Sequence, residues 1–207
     1  PDAPAIMLET PGGEGRHSNW IGFYPKYTIS KLDPRDYNAI SKTAWMKGAG
    51  LTNFYVLFGG TNFGYNAASY ISTSYCNRPP LQCPLLEPGG IWYAYYEVKL
   101  MGQWLEEFGS KLVRSEPVNY KAGQFCFVKK KGKWPTIEER VHGNQAFVFI
   151  RDDVDISQET KFSYLDPKTG EEERIPHEGY LTLPPRDMQI LVTNVRVSDL
   201  LLKYSTS

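Results

Sequence analysis

The sequence predicts an α/β part followed by an all-β part, and two observations carry that prediction. In the first part, apolar runs that end in glycine-rich loops alternate with stretches of helical periodicity. From about Tyr120 the pattern changes to short strands joined by hairpin signals. The boundary is therefore expected between Ser115 and Tyr120, and 207 residues suffice for one large or two modest domains.

The first part is expected to open with a strand, a helix and a second strand. Ala3 to Leu8 is a short apolar run that predicts a strand. Glu9 follows at its end, directly before a Thr-Pro-Gly-Gly loop. Asp33-Pro34 supplies an N-cap and a proline at the first helical position, which predicts a helix over Arg35 to Lys47. A unit of this kind is parallel and right-handed. From these residues alone, Glu9 is a carboxylate at a strand end, with structural and catalytic roles both open.

The stretch from Asn53 to Gly64 organises this part of the chain. Six mostly apolar and aromatic residues run up to Gly59-Gly60, which is typical of a buried parallel strand that ends in a glycine turn. In α/β enzymes, functional sites form at this carboxyl end of a strand. A long loop from Asn62 to Gly90 follows, and ordered loops of such length are usually functional. Ile91 to Phe108 is then predicted to be a helix.

The second part is predicted to be an antiparallel sandwich or small barrel. Short apolar or alternating runs recur there, and turn signals such as Lys131-Gly132-Lys133 separate them. The predicted strands are Gln124 to Lys129, Gln145 to Arg151, Lys161 to Leu165, Glu171 to Ile175 and Met188 to Val195.

Composition excludes several classes of partner. Lys plus Arg and Asp plus Glu balance at 23 each, so neither nucleic acid nor an anionic membrane is an expected partner. No apolar run approaches the roughly 20 residues of a membrane span, and the amino terminus enters an apolar strand too soon for a secretory signal. The three histidines show no metal-ligand spacing, so we expect neither a metal nor a cofactor. An aromatic share of 14% suits a sugar-binding cleft or an ordinary aromatic core.

The cysteines bear on the cellular compartment. Cys76 and Cys83 flank a proline-rich loop and can close it with a disulfide in an oxidising compartment. Whether this disulfide forms is left open by the sequence. Sequons for N-glycosylation, the usual second sign of secretion, are absent from the sequence. An extracellular or secretory, lysosomal-like compartment is the expectation.

A family resemblance is carried by the stretch from Phe54 to Gly64, which reads Phe-Tyr-Val-Leu-Phe-Gly-Gly-Thr-Asn-Phe-Gly, together with Thr73-Ser74-Tyr75. These motifs resemble glycoside hydrolase family 35, the β-galactosidases. Tyr95 to Gly102 is similar to a helix after the site in that family, and Leu8 to Gly13 is similar to the nucleophile segment of its large fungal-type multidomain members. A weaker similarity to the family's β-domain covers Gly179 to Thr193.

The resemblance implies a fold for each part of the chain. Residues 1–117 would be the last two βα units of a (β/α)8 TIM barrel, the C-terminal part of the catalytic domain. Residues 118–197 would be an antiparallel, β-sandwich-like domain. Residues 198–207 would start a further domain or form a tail.

The resemblance also implies a site. Glu9 would be the catalytic nucleophile, and Tyr55, Tyr75 and Asn77 would contact the substrate. Tyr55 points into the barrel core or toward the site, since alternate strand residues face opposite sides. Asn77 stands where relatives have a second, sugar-contacting tyrosine, which alters this subsite and leaves open whether the sugar is galactose in the usual galactoside, a different galactoside or another hexose.

The family's acid/base sits in an Asn-Glu pair, and this dipeptide does not occur in the 207 residues. The chain alone is therefore expected to be inactive, as a fragment or one piece of a split enzyme. Its expected partners are a β-galactoside oligosaccharide or polysaccharide, and the missing N-terminal barrel half on the same or another chain. The alternative is a non-catalytic carbohydrate-binding or structural protein derived from a glycosidase.

Overall fold

A computed structural model of the protein describes residues 5–10, 35–54, 57–61, 63, 84–85, 89–118, 127–131, 135–152, 157–185, 187–197 and 200–206. The chain divides into two compact units, a first unit of residues 1–106 and a second unit of residues 107–207. Neither helix in these described ranges is long and apolar enough to cross a membrane.

The first unit contains one parallel pair of strands with a helix between them in sequence. β1 (Ala5–Thr10) pairs with β2 (Ala49–Phe54), and α1 (Arg35–Met46) connects them. The helix ends where Gly48 adopts a positive φ of 90° and donates its amide hydrogen to the carbonyl of Trp45. Such a left-handed residue after the last turn is a common helix stop, and glycine adopts it without a steric penalty.

The second helix, α2 (Tyr93–Leu112), begins in the first unit and ends in the second. Within the first unit, Trp45 of α1 stacks on Trp104 of α2 with ring centroids 5.7 Å apart. The Trp45 indole also donates a 2.8 Å hydrogen bond to the hydroxyl of Thr52 on β2. Two turns earlier on α1, the side-chain amide of Asn38 donates a 3.0 Å hydrogen bond to the carboxylate of Glu97. These contacts fix α1 against both α2 and the parallel strands.

The prediction of an α/β fold made of the last two βα units of a (β/α)8 TIM barrel is wrong. In the described residues, strands predominate over the two helices, most strands pair antiparallel, and the parallel sheet holds two strands. The physical reason lies between β2 and α2. There the chain forms extended bridges at Phe58, Leu85 and Ile91, one of them antiparallel, and so does not pass directly from a strand into its helix as a βα repeat does.

The second unit consists of two antiparallel sheets. The larger has the order β11-β10-β6-β5-β3; in the smaller, β7 pairs with β4, β8 and β9. The strand bounds are β3 (Glu116–Pro117), β4 (Phe127–Lys131), β5 (Thr136–His142), β6 (Gln145–Arg151), β7 (Gln158–Leu165), β8 (Glu172–Ile175), β9 (Leu181–Leu183), β10 (Met188–Val197) and β11 (Leu200–Thr206).

Side chains from both sheets share one core. The buried members are Ala146, Val148, Ile150, Phe162, Tyr164, Ile175, Leu183 and Leu191. β6 is buried along its length from Ala146 to Ile150, which places it at the centre of its sheet. β11, in the segment expected to open a further domain or form a tail, pairs with β10 in the larger sheet.

Candidate functional site

The backbone of Glu9 lies at the carboxyl edge of the parallel pair. The register matches Ala5 with Ala49 at one end and Thr10 with Phe54 at the other. Glu9 precedes Thr10, so it lies beside the last residues of β2. Parallel neighbours end at the same edge of a sheet, so the backbone of Glu9 and the last residues of β2 lie at one edge.

The remaining predicted site residues cannot be placed in the same way. Tyr55, Tyr75 and Asn77 lie outside the described residues, as do Cys76 and Cys83. For Glu9 the structure describes the main chain alone. The structure thus brings Glu9 to the end of β2, where Tyr55 follows in sequence, and the approach of the four side chains to one another stays a prediction.

Beyond β2, the two ends of the segment between Phe58 and Leu85 lie side by side. Phe58 and Leu85 form a parallel bridge, and the amide of Leu85 donates to the carbonyl of Leu57 at 3.0 Å. Leu85 also pairs antiparallel with Ile91, directly before α2. The two bridges therefore hold both ends of this segment near the residue that precedes Trp92 and the start of α2.

Gly60 turns the chain at the start of this loop. Its φ of +76° lies in the left-handed region, where side chains other than glycine are strained. A Cβ atom at this position would be 3.9 Å from the Phe58 ring, so there is room for one. The second glycine of the Gly-Gly pair is therefore required here by backbone conformation and not by crowding.

Three exposed rings and one exposed isoleucine lie at the ends of this loop and at the start of α2. We call Phe58, Ile91, Tyr93 and Tyr96 the aromatic surface; each is 53–68% exposed. The bridges put Phe58 two strand spacings, about 10 Å, from Ile91. Tyr93 and Tyr96 are three residues apart on α2 and therefore lie on one helix face.

Neighbouring rings support the aromatic surface. Trp92 makes an edge-to-face contact with Tyr93 at 5.3 Å, and Tyr95 makes one with Tyr96 at 5.7 Å. Rings with an apolar face and a polar edge suit sugars, which present C–H groups and hydroxyls together. Sequence reasoning missed Tyr93 and Tyr96 because it assigned tyrosines of the long loop to the site. The spacing of three residues, away from the buried stripe of α2, was the signal that could have found them.

The described residues contain no group of three His, Cys, Asp or Glu side chains that could hold a metal ion. No family model matches the chain, and no curated protein matches it. The resemblance to glycoside hydrolase family 35 therefore depends on the motifs in the sequence itself.

Proposed function

We propose that this chain supplies the nucleophile of a retaining β-galactosidase, with Glu9 in that role. The observation that carries the proposal is the pairing of two features at one sheet edge. The family-like motif follows β2, and Glu9 lies at the matching end of the parallel neighbour β1. The proposal uses the chemistry of the family and not its barrel.

In this mechanism the Glu9 carboxylate attacks the anomeric carbon of a terminal β-galactosyl residue. The bond to the leaving oxygen breaks as a galactosyl ester forms on Glu9, and water then hydrolyses the ester with net retention of configuration. A second carboxyl group, about 5–5.5 Å from the first, protonates the leaving oxygen and later deprotonates the water. We assign that group to a residue outside these 207, because no Asn-Glu pair occurs among them.

The aromatic surface contributes to the same function, because the part of the sugar chain beyond the galactosyl residue stacks on it. The substrate is then a β-galactoside oligosaccharide or polysaccharide, and the site needs no cofactor. The experiment that tests the proposal is hydrolysis of a 2,4-dinitrophenyl β-galactoside by the natural polypeptide that contains this stretch, followed by proton NMR. This leaving group departs without protonation, so formation of the galactosyl ester does not depend on the acid/base, which then acts only when water hydrolyses the ester.

The expected first product is β-galactose, which later mutarotates. Appearance of α-galactose first would contradict the double displacement, and hydrolysis of β-glucosides in preference to β-galactosides would contradict the assignment of the sugar.

The aromatic surface also favours a second candidate function, carbohydrate binding without turnover. Tyr93→Ala is expected to weaken binding of a β-galacto-oligosaccharide by about 0.5–1.5 kcal/mol, the value of one stacked ring, or several-fold in Kd. Leu100→Ala is the matched control, because Leu100 is 60% exposed on the same helix but carries no ring. Isothermal titration gives both affinities, and an equal loss in both variants would exclude stacking on Tyr93. Binding without hydrolysis would favour this second function.

A further inference from the structure

A carboxylic acid lies in the middle of the core of the second unit. Glu139 is the central residue of β5 and is 2% exposed. Ile137 and Val141 flank it on the same face of the strand, where both pack against the shared core. Val148 of β6 is its cross-strand partner and is fully buried. The carboxyl group therefore occupies a position that the strand pattern reserves for an apolar side chain.

The opposing sheet presents a second titratable group to Glu139. Tyr164 of β7 is 3% exposed within the same core. Burial raises the pKa of its hydroxyl, and the charges of Asp166, Glu173 and Glu139 raise it further, so the phenol is neutral. Tyr164 is thus close enough to Glu139 for the charge of the carboxylate to affect the pKa of the phenol, with one group in each sheet.

Other charged residues near Glu139 lie on β5 itself and on β3. Glu138 and Arg140 alternate with Glu139 and so project from the other face of β5. Arg140 donates to the hydroxyl and the carbonyl of Ser115. The nearby charges of Glu116 and Glu138 raise the pKa of Arg140, although burial lowers it by more. The cation of this strand is therefore engaged on the face away from the core.

A carboxylate in such surroundings loses its hydration, and burial raises the pKa of Glu139 from its usual 4.5 to about 8. In the folded unit at neutral pH the group is a protonated acid. In the unfolded chain it is ionised at the same pH.

We propose that packing of the two sheets in the second unit depends on a proton held by Glu139, so that the unit is most stable in acidic surroundings and loosens as the pH rises. Between pH 4.5 and 8 the folded state holds one proton that the unfolded state does not. Unfolding then releases a proton, and the unfolding constant rises about tenfold for each pH unit in that window. The contribution is complete below the lower value and is lost above the upper one. This device is independent of the proposed galactosidase activity, although it suits an acidic, lysosomal-like compartment.

The test compares the full chain with Glu139→Gln, which has the same shape but no ionisable group. Amide exchange of peptides from β5 and β6, corrected for the intrinsic effect of pH, reports opening of the second unit at pH 5, 6, 7 and 8. The ratio of opening constants between the unaltered chain and Glu139→Gln is expected to rise by roughly 400-fold across the series, since the slope flattens near both pKa values. Glu138→Gln, one residue away on the opposite face, is expected to follow the unaltered chain.

A constant ratio between the unaltered chain and Glu139→Gln would overturn the proposal. If Glu139→Gln does not fold, infrared spectroscopy of the unaltered chain at pH 7 shows whether the folded chain contains a protonated carboxylic acid. A protonated carboxylic acid has a carbonyl band well separated from that of carboxylates. Its presence in the folded chain and loss on unfolding in urea support the proposal, and its absence from the folded chain overturns it.

Discussion

Glu9→Gln is expected to slow hydrolysis of a β-galactoside by about 10³-fold or more, which corresponds to about 4 kcal/mol of transition-state stabilisation. The amide has the shape of the carboxylate but cannot form the galactosyl ester. The measurement is kcat/KM for an aryl β-galactoside, made on the natural polypeptide that contains this stretch. Glu107→Gln is the control, since Glu107 is an exposed glutamate on α2. Unchanged kcat/KM in Glu9→Gln would contradict the assignment.

A positioning role for Glu9 would also lower the rate, so the variant Glu9→Gly is needed to separate the two roles. Removing a nucleophile leaves space on the α face of the sugar, where added azide can attack. We expect azide to restore turnover of the dinitrophenyl galactoside and to give the α-galactosyl azide. A β-galactosyl azide would show that the lost group was the acid/base, and absence of rescue would indicate a positioning residue.

Phe162→Ala is expected to lower the free energy of unfolding of the second unit by about 3–5 kcal/mol. Phe162 is 1% exposed, lies on β7 and packs in the core shared by the two sheets. Removing the ring takes away apolar burial and leaves a cavity in the core. Because domains are stable by only about 5–15 kcal/mol, this loss brings the unit close to unfolding at room temperature.

Urea unfolding monitored by amide exchange of β7 gives the change in free energy. Leu165→Ala is the matched control on the same strand, where the side chain is 52% exposed, and it is expected to change stability by less than about 0.5 kcal/mol. Similar losses in both variants would mean that the core does not lie between the sheets.

The strands of the second unit show what a sequence pattern can predict. β6 was predicted over Gln145 to Arg151 and is confirmed with those bounds, because its apolar run lies between clear turn signals. β5, over Thr136 to His142, was missed. Its sequence places Glu139 at a core position, and a buried acid breaks the alternation that identifies a strand.

Helix and strand ends in the first part were predicted less well. The second helix was predicted to end at Phe108, yet α2 continues past Gly109 to Leu112. Phe108 and Leu112 are both buried, and their packing outweighs the low helix propensity of one glycine. The second strand, predicted from Asn53, lies at Ala49–Phe54 instead, since the extended chain begins as soon as Gly48 ends α1.

The sequence also predicted one part of the candidate site and missed another. The pairing of β1 with β2 is parallel, as the strand, helix, strand order predicted, and this sets Glu9 beside the end of β2. The aromatic surface was missed, although the three-residue spacing of Tyr93 and Tyr96, away from the buried stripe of α2, could have indicated their shared helix face. The motifs that suggested a barrel each cover a short stretch of sequence. A barrel depends instead on how strands pair across a whole domain.

The central claim, that Glu9 attacks the anomeric carbon, is tested most directly by trapping the galactosyl ester. A 2,4-dinitrophenyl 2-deoxy-2-fluoro-β-galactoside forms the ester without help from an acid, and the fluorine slows its hydrolysis. After digestion of the labelled natural polypeptide, mass spectrometry is expected to locate one fluorogalactosyl group on Glu9. A label on any other carboxylate, or no label on a polypeptide that hydrolyses galactosides with retention, would contradict the account.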